Sequence, residues 1–281
     1  LFVKYQLKDF LVIERKYFFG SDERSLPFLS SLNNKYENLY VITLPPNKKG
    51  RGRKLMLNPV EEFCIKNNLL CSYFDADKHY EDMEFAIVAS FAKIFSKNFI
   101  ATHAPLFNIH LSLLPKLRGP TPVETAILNN EIETGYTIFQ INENTDTGNI
   151  IFQNKIKIQN KYASDVYQNI YTLFNNDLPS INFFSNGIEQ DNNYSTTSKF
   201  IKKDFNLTSC TVDEAKNKIR AFDTLGPAFI LFNNKYLKIH SYSDEEITSR
   251  IELIDGFLYP LKVTPEGKRM MTFTDYIRGL R

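Results

Sequence analysis

One stretch in the middle of the chain decides the fold, and it reads Asn108-Ile-His-Leu-Ser-Leu-Leu-Pro115, then Arg118-Gly-Pro-Thr-Pro122, then Asp146-Thr-Gly148. Residues 107–111 alternate apolar and polar side chains, which is typical of a β-strand. Because residues two apart on a strand point to the same face, Asn108 and His110 are predicted to be aimed at one point. Residues 144–148 are rich in turn formers, and such a turn can return the carboxylate of Asp146 to that point.

An amide, an imidazole and a carboxylate brought together in this way have a defined chemistry. The amide can donate a hydrogen bond to a developing oxyanion. The imidazole can donate to the same oxygen or move a proton near neutral pH, and the carboxylate can fix its tautomer. The set suits the transfer of an acyl-level carbon to a nucleophile that the substrate brings. The alternative is a structural hydrogen-bonded pair, which is the commoner meaning of an isolated Asn-x-His on a strand.

Over the same residues the sequence resembles the folate-dependent formyltransferases. Their pattern is Asn-x-His-x-Ser-Leu-Leu-Pro, Arg-Gly-x-x-Pro, Thr-Gly-x-Thr and Asp-x-Gly, and it reads here at 108–115, 118–122, 134–137 and 146–148. The resemblance implies that the catalytic trio consists of Asn108, His110 and Asp146. It implies 10-formyltetrahydrofolate as a cosubstrate, without a metal. The residues implied to line the donor site are Ser112, Leu113, Leu114 and Pro115.

The order of apolar runs predicts an α/β fold, in which a Rossmann-like, mostly parallel sheet forms the first domain. Predicted strands at 16–20 and 39–44 flank a predicted helix at 26–32, and this β-α-β opening is typical of parallel sheets. A dinucleotide site is not expected, because no Gly-x-Gly-x-x-Gly follows the first strand. A later helix opens at 164–174, and its pattern extends toward residue 184.

The rest of the chain predicts a second, smaller domain. Residues 185–200 are polar and without apolar periodicity, which predicts a linker. We therefore expect a formyltransferase catalytic domain at 15–190 and a small β-rich domain at 205–281, where a helix precedes several short strands. The family resemblance implies that this second domain is OB-like. Two stretches, 219–222 and 267–270, resemble the C-terminal domain of the tRNA formyltransferases, although this domain is shortened between 242 and 251.

A basic loop bears on the substrate. Five positive charges lie within seven residues, interrupted by two glycines, and they belong to Lys48, Lys49, Arg51, Arg53 and Lys54. Such a loop can follow a phosphate backbone, although a solvated surface loop is the alternative from composition alone. The reading Gly50-Arg-Gly-Arg-Lys-Leu55 resembles the loop with which methionyl-tRNA formyltransferases enter the acceptor arm of the initiator tRNA. The resemblance therefore implies initiator methionyl-tRNA as a partner.

Composition and net charge exclude several classes of protein. The 281 residues carry a net charge of only +2, so anion binding must come from a local patch. Three cysteines fit neither a disulfide framework nor a zinc site, and no apolar run is long enough to span a membrane. We expect a monomer in the bacterial cytoplasm, or in a mitochondrion or another organelle if the source is eukaryotic. Residues 1–14 fit either the tail of a targeting segment or an incomplete start.

The sequence thus predicts formyl transfer from 10-formyltetrahydrofolate to methionyl initiator tRNA, in translation initiation. A sugar-nucleotide N-formyltransferase with the same donor is the alternative, because it shares the trio but has no need of the basic loop. A third interpretation is an RNA-binding protein whose formyltransferase-like domain is inactive. The intact set of Asn108, His110 and Asp146 argues against it.

Overall fold

The structure is a computed structural model that describes residues 14–49 and 54–280. Its first domain contains nine strands: β1 (Arg15–Phe19), β2 (Leu39–Thr43), β3 (Asn47–Lys49), β4 (Lys54–Met56), β5 (Leu70–Tyr73), β6 (Met83–Val88), β7 (Leu106–His110), β8 (Glu133–Gln140) and β9 (Ile150–Lys157). Seven of them form one sheet in the order β5-β2-β1-β6-β7-β8-β9. The first five are parallel, and β8 and β9 run antiparallel at one edge. The predicted Rossmann-like, mostly parallel sheet is confirmed.

Helices cover both faces of this sheet, because alternate residues of each strand are apolar on opposite faces. On one face Phe18 and Phe107 pack with most of the helices, and on the other face Phe19 and Val88 pack with Phe99 of a short helix. The helices are α1 (Leu26–Lys35), α2 (Pro59–Lys66), α3 (Lys97–Thr102), α4 (Pro122–Leu128) and α5 (Ala163–Asp177).

Two details differ from the sequence-based expectations for the first domain. Helix α5 ends at Asp177 and does not continue toward residue 184, because a 3₁₀ turn with a proline near its start follows at Leu178–Ser180. The short helix α3 has no apolar repeat that would have predicted it. Its start is defined by a cap, in which the hydroxyl of Ser96 accepts a hydrogen bond from the Phe99 amide.

The C-terminal part of the chain, here called the second domain, is β-rich, as the sequence predicts, and the domain bounds of 15–190 and 205–281 stay predictions. Its sheet has the strand order β10-β11-β13-β12, with β14 beside β13, and the pairs are antiparallel. The elements of this domain are α6 (Val212–Ala221), β10 (Ala228–Phe232), β11 (Lys235–Ser243), β12 (Ile251–Glu252), β13 (Phe257–Pro265), β14 (Met271–Thr272) and α7 (Phe273–Arg278). Whether it is an OB-like barrel stays a prediction.

Helix α6 belongs to both hydrophobic cores. Its Ala215 and Ile219 are buried in the core of the second domain. Ala221 and the adjacent Phe222 are buried in the core of the first domain. On the same side, the carboxylate of Asp223 accepts hydrogen bonds from the amide and hydroxyl of Ser164 at the start of α5. The two domains are therefore joined by packing on α6 as well as by the connecting chain.

Candidate active site

Two of the predicted trio lie on β7, at the carboxyl end of the parallel strands. Asn108 pairs with Phe139 of β8, and His110 pairs with Thr137 of the same strand. Both side chains border one cavity, as their spacing on a strand predicts. The His110 side chain is buried, whereas Asn108 is partly exposed. In open α/β sheets, the carboxyl ends of strands are where ligands bind.

The third member, Asp146, comes to the same cavity from the turn between β8 and β9. Its Oδ2 lies 3.7 Å from Nδ1 of His110 and accepts a hydrogen bond of 2.8 Å from the amide of Gly119. The other ring nitrogen, Nε2 of His110, lies 2.8 Å from the carbonyl oxygen of Leu117. Nε2 is therefore engaged by the loop, whereas the separation of Nδ1 and Asp146 is too long for a hydrogen bond.

The four predicted donor-site residues lie in the loop after β7, and they contact mainly the protein itself. The hydroxyl of Ser112 donates to the carbonyl of Lys116 at 2.7 Å, and Thr137 donates to the Ser112 carbonyl at the same distance. The amide of Leu114 donates to the Thr137 hydroxyl. The side chains of Ser112 and Leu114 are buried, and the two cavities beside the trio are lined by other residues. Donor contact by Ser112, Leu113, Leu114 and Pro115 stays a prediction, and in this structure they support the loop.

Two cavities meet at the trio, and they differ in chemistry. The apolar cavity, of about 210 Å³, is walled by rings such as Phe91, Phe95 and Phe139, and its rim is the chain at 142–145. The charged cavity, of about 340 Å³, is bordered by Asp22, Arg24, Tyr167 and Lys199. The residues common to both cavities are Phe91, Asn108 and Asp146. A reactive carbon bound in one cavity would therefore face a nucleophile bound in the other across Asn108 and Asp146.

A buried carboxyl stands behind the charged cavity and was not predicted from the sequence. Glu124 of α4 has no exposed surface, and its Oε1 accepts a 2.8 Å hydrogen bond from the Tyr167 hydroxyl. Burial raises the pKa of the Glu124 carboxyl. Burial, followed by the charge of Glu124, also raises the pKa of Tyr167 well above its usual range. The available signal was a glutamate within a helix at Pro122–Leu128 whose other residues, apart from Thr125, are apolar.

The segment at 188–198, here called the strap, lies within the stretch 185–200 that the sequence predicts as a linker, and it is bound to the site loop. Arg118 forms backbone hydrogen bonds with Ser195 and Thr197. Gly119 has a φ of +113°, and a Cβ added there would meet the carbonyl oxygen of Thr197 at 2.7 Å, so a side chain does not fit. The polar composition predicted the lack of a helix or long strand, but it gave no sign of these backbone contacts.

The structure describes only part of the basic loop. Strands β3 and β4 pair antiparallel from Asn47 with Met56 to Lys49 with Lys54, so three of the five predicted cations lie on a hairpin. Arg51 and Arg53 lie outside the described residues. Binding of nucleic acid by Lys48, Lys49, Arg51, Arg53 and Lys54 stays a prediction.

The described ranges contain neither a metal-binding cluster nor a membrane-spanning helix. Within 14–49 and 54–280, no group of three or more histidine, cysteine, aspartate or glutamate side chains could hold a metal ion. No helix in this part of the chain has the length and apolar character needed to cross a bilayer.

Residues 24–178 match the sequence model of a family described as formyl transferase. The match spans more than half of the chain, which therefore belongs to the formyl transferase family. Similar proteins include the methionyl-tRNA formyltransferase of Borrelia turicatae (strain 91E135), 28% identical over 306 residues that cover 95% of this chain and 97% of the relative. The methionyl-tRNA formyltransferase of Thermosipho melanesiensis is 30% identical over 278 residues, which cover 88% of this chain and 90% of the relative.

Solved structures of similar fold include sugar-modifying enzymes. WlaRD, a sugar 3N-formyl transferase determined with dTDP and 5-N-formyl-THF, is 27% identical, and the TM-score is 0.64 over 92% of this chain and 99% of that one. The N-formyltransferase from Helicobacter canadensis, determined with folinic acid and dTDP-3-aminofucose, is 25% identical, and the TM-score is 0.63 over 88% of this chain and 99% of that one. Both classes of relative therefore resemble the chain over most of its length.

Proposed function

We propose that this protein transfers a formyl group from 10-formyltetrahydrofolate to the amino group of methionyl initiator tRNA. The observation that carries the proposal is the geometry of Asn108, His110 and Asp146 at the meeting point of two chemically different cavities. The choice of acceptor is supported by the full-length similarity to methionyl-tRNA formyltransferases and by the basic loop around Arg51 and Arg53.

The apolar cavity suits the donor. Its aromatic walls can stack against a flat heterocycle, and the chain at 142–145 offers backbone groups to the polar edge of such a ring. Bound there, the donor would present its formyl carbon to Asn108 and Asp146, which border this cavity as well. The solved relatives that were determined with folates support a donor of this class for the family.

The charged cavity can take the end of an anionic acceptor through Lys199 on its border, where Arg24 is already paired with Asp22 at 3.0 Å. The acceptor amine attacks the formyl carbon, and a tetrahedral intermediate with a negatively charged oxygen forms. The Asn108 amide donates a hydrogen bond to that oxygen, and so does Nδ1–H of the protonated His110. Nδ1 is the ring nitrogen that can do so, because Nε2 is engaged by the Leu117 carbonyl and Nδ1 lies 3.7 Å from Asp146, too far for a hydrogen bond. The bond between the carbon and N10 then breaks, and the proton lost by the amine passes by way of Asp146 to the departing nitrogen.

The neighbouring pair of His110 and Asp146 supports this sequence of events. Their 3.7 Å separation places a carboxylate beside the imidazole, where it stabilises the charged ring during the reaction. The carboxylate is itself oriented by the amide of Gly119 at 2.8 Å. No covalent intermediate with the enzyme is required, because the acceptor brings its own nucleophile.

A sugar-nucleotide acceptor is the second candidate, because WlaRD and the Helicobacter canadensis enzyme resemble this chain over almost their whole length. One assay separates the two. The full chain is incubated with formyl-labelled 10-formyltetrahydrofolate and either methionyl initiator tRNA or amino-sugar nucleotides, with His110→Ala as the inactive control. Label on the tRNA supports the proposal, label on the sugar replaces it with the alternative, and no label on either acceptor contradicts both.

A further inference from the structure

The strap at 188–198 carries one side chain that reaches the turn bearing Asp146. We infer that Gln190 is a positioning residue, which holds the Asp146 turn in the geometry needed for formyl transfer. This inference rests on the proposed function, because the turn matters only if Asp146 acts in the reaction. Gln190 itself is not among the residues that border the two cavities at the trio.

A single amide group bridges two carbonyls of the turn. Nε2 of Gln190 donates to the carbonyl oxygen of Asp146 at 3.0 Å and to that of Gly148 at 2.8 Å. Asp146 has a φ of +54°, in the left-handed region that side-chain-bearing residues rarely adopt. A backbone in that region persists only where its surroundings hold it. The two hydrogen bonds from Gln190 are such a restraint, because they fix the carbonyl groups of residues 146 and 148.

The orientation of this amide is fixed by Arg118. Nε and Nη2 of Arg118 donate to Oε1 of Gln190 at 3.1 and 2.7 Å. A guanidinium has donors and no acceptor, so the oxygen of the glutamine must face it and the NH₂ group must face the turn. The guanidinium is in turn placed over the ring of Tyr194, with its Cζ 4.7 Å from the ring centroid. Both Gln190 and Tyr194 belong to the strap.

The same strap sets the second contact of Asp146. Its backbone bonds hold Arg118, and the next residue, Gly119, donates its amide to Oδ2 of Asp146. The strap therefore restrains the carboxylate through two routes, one through the backbone of the turn and one through Gly119. Loss of the donors of Gln190 would release the first route and leave the second.

Two variants separate the role in positioning from a general role in packing. Gln190→Glu keeps the shape and the acceptor for Arg118 but cannot donate to the two carbonyls, and Gln190→Leu removes both functions. The matched control is Gln168→Leu, at an exposed glutamine on α5. We expect kcat to fall about tenfold to a hundredfold in both Gln190 variants, because small displacements of a catalytic group have effects of this size. The KM for the donor should stay within about twofold of that of the parent protein, because its proposed cavity is unchanged.

A second measurement does not depend on activity. Amide hydrogen exchange in the peptide covering 144–149 should be faster in Gln190→Glu than in the parent protein, while exchange in the sheet of Gln190→Glu stays unchanged. The control variant Gln168→Leu should keep the melting temperature of the parent protein. Parent-like kcat in Gln190→Glu, or parent-like exchange at 144–149, would overturn the inference. A parent protein that formylates neither acceptor would contradict the proposed function, and the exchange data would still decide whether Gln190 holds the turn.

Discussion

The catalytic loop and the hairpin of β3 and β4 are held in different ways. The turn bearing Asp146 is tied by hydrogen bonds to Gly119 and to Gln190 of the strap, and its carboxylate lies 3.7 Å from His110 on β7. The hairpin has three residue pairs, and Leu55 and Met56, which belong to two of them, are exposed. Oxyanion stabilisation needs fixed distances, whereas contact with a polyanion tolerates movement. We therefore expect substitutions in the loop to change kcat and substitutions in the hairpin to change the KM of the acceptor.

The largest effect should come from the trio. His110→Ala, Asp146→Asn and Asn108→Ala should each lower kcat by about a hundredfold or more, because each removes a group that stabilises the transition state. Steady-state kinetics with donor binding in parallel would measure this, and donor affinity should change little. Asp165→Asn, at an exposed position on α5, is the matched control for Asp146→Asn. Near-normal turnover in the His110 or Asp146 variant would remove the catalytic assignment.

The hairpin provides the opposite case. Changing Arg51 and Arg53 to Ala should raise the KM for tRNA and flatten its dependence on salt by about one unit of logarithmic slope per lost phosphate contact. Donor affinity should not change. The measurement is KM for tRNA across a salt series, with Lys157→Ala on β9 as a control cation. An unchanged slope with an unchanged KM would mean that the loop is a solvated charge run, and the sugar acceptor would become the better hypothesis.

A smaller effect on acceptor use is expected from the second domain. Lys238 on β11 and Lys268 after β13 are exposed beside Phe229 and Tyr236, whose rings pack edge to face at 5.3 Å. Lys238→Ala with Lys268→Ala should raise the KM for tRNA severalfold and leave turnover of bound acceptor intact, because these cations lie outside the site. Filter binding of tRNA by the double variant and by Lys157→Ala would show it. Equal affinities would assign this domain another role.

The smallest expected effect concerns pH. Burial raises the pKa of Glu124 above its ordinary value of 4.5, so the folded protein keeps a proton that the unfolded chain releases as pH rises. Stability conferred by the protonated form is therefore present at low pH and is lost as pH rises through the folded-state pKa. Relative to Glu124→Gln, the parent protein should lose at most about 1.4 kcal/mol per pH unit in that window.

Urea unfolding between about pH 5 and pH 8 would measure this difference, with Glu131→Gln at an exposed position as the control. The constant offset between the parent protein and Glu124→Gln is not informative, because the buried amide also lacks a second partner. The slope of the difference with pH decides the matter. Parallel stability curves would show that Glu124 is ionised in the folded protein over this range.

The sequence predicted those parts of the molecule that have a local repeat. Alternation at 107–111 correctly placed Asn108 and His110 on one face of a strand, and the β-α-β opening correctly indicated a parallel sheet. The return of Asp146 to the cavity followed from turn composition. The distances in the trio could not be predicted, because they depend on the antiparallel pairing of β8 with both of its neighbours.

The misses share a physical cause. The contacts of the strap run through backbone groups of Arg118, Ser195 and Thr197, and any residue type supplies those groups. The burial of Ser112 and Leu114 is likewise not visible in the family pattern, and their contact with the donor stays a prediction. Glu124 differs from a surface glutamate only by packing, since its partner Tyr167 lies 43 residues away in the chain.

Helix α6 limits how this protein could be recombined with its relatives. A chimaera that takes a foreign second domain from residue 205 onward would also replace Ala221 and Phe222, which complete the core of the first domain. A cut after Asp223 would keep them, but the foreign sheet would then have to pack on Ala215 and Ile219 of the resident helix. A chimaera designed to exchange acceptor specificity therefore needs an α6 whose Ala215 and Ile219 positions fit the foreign domain and whose Ala221 and Phe222 positions fit the resident one.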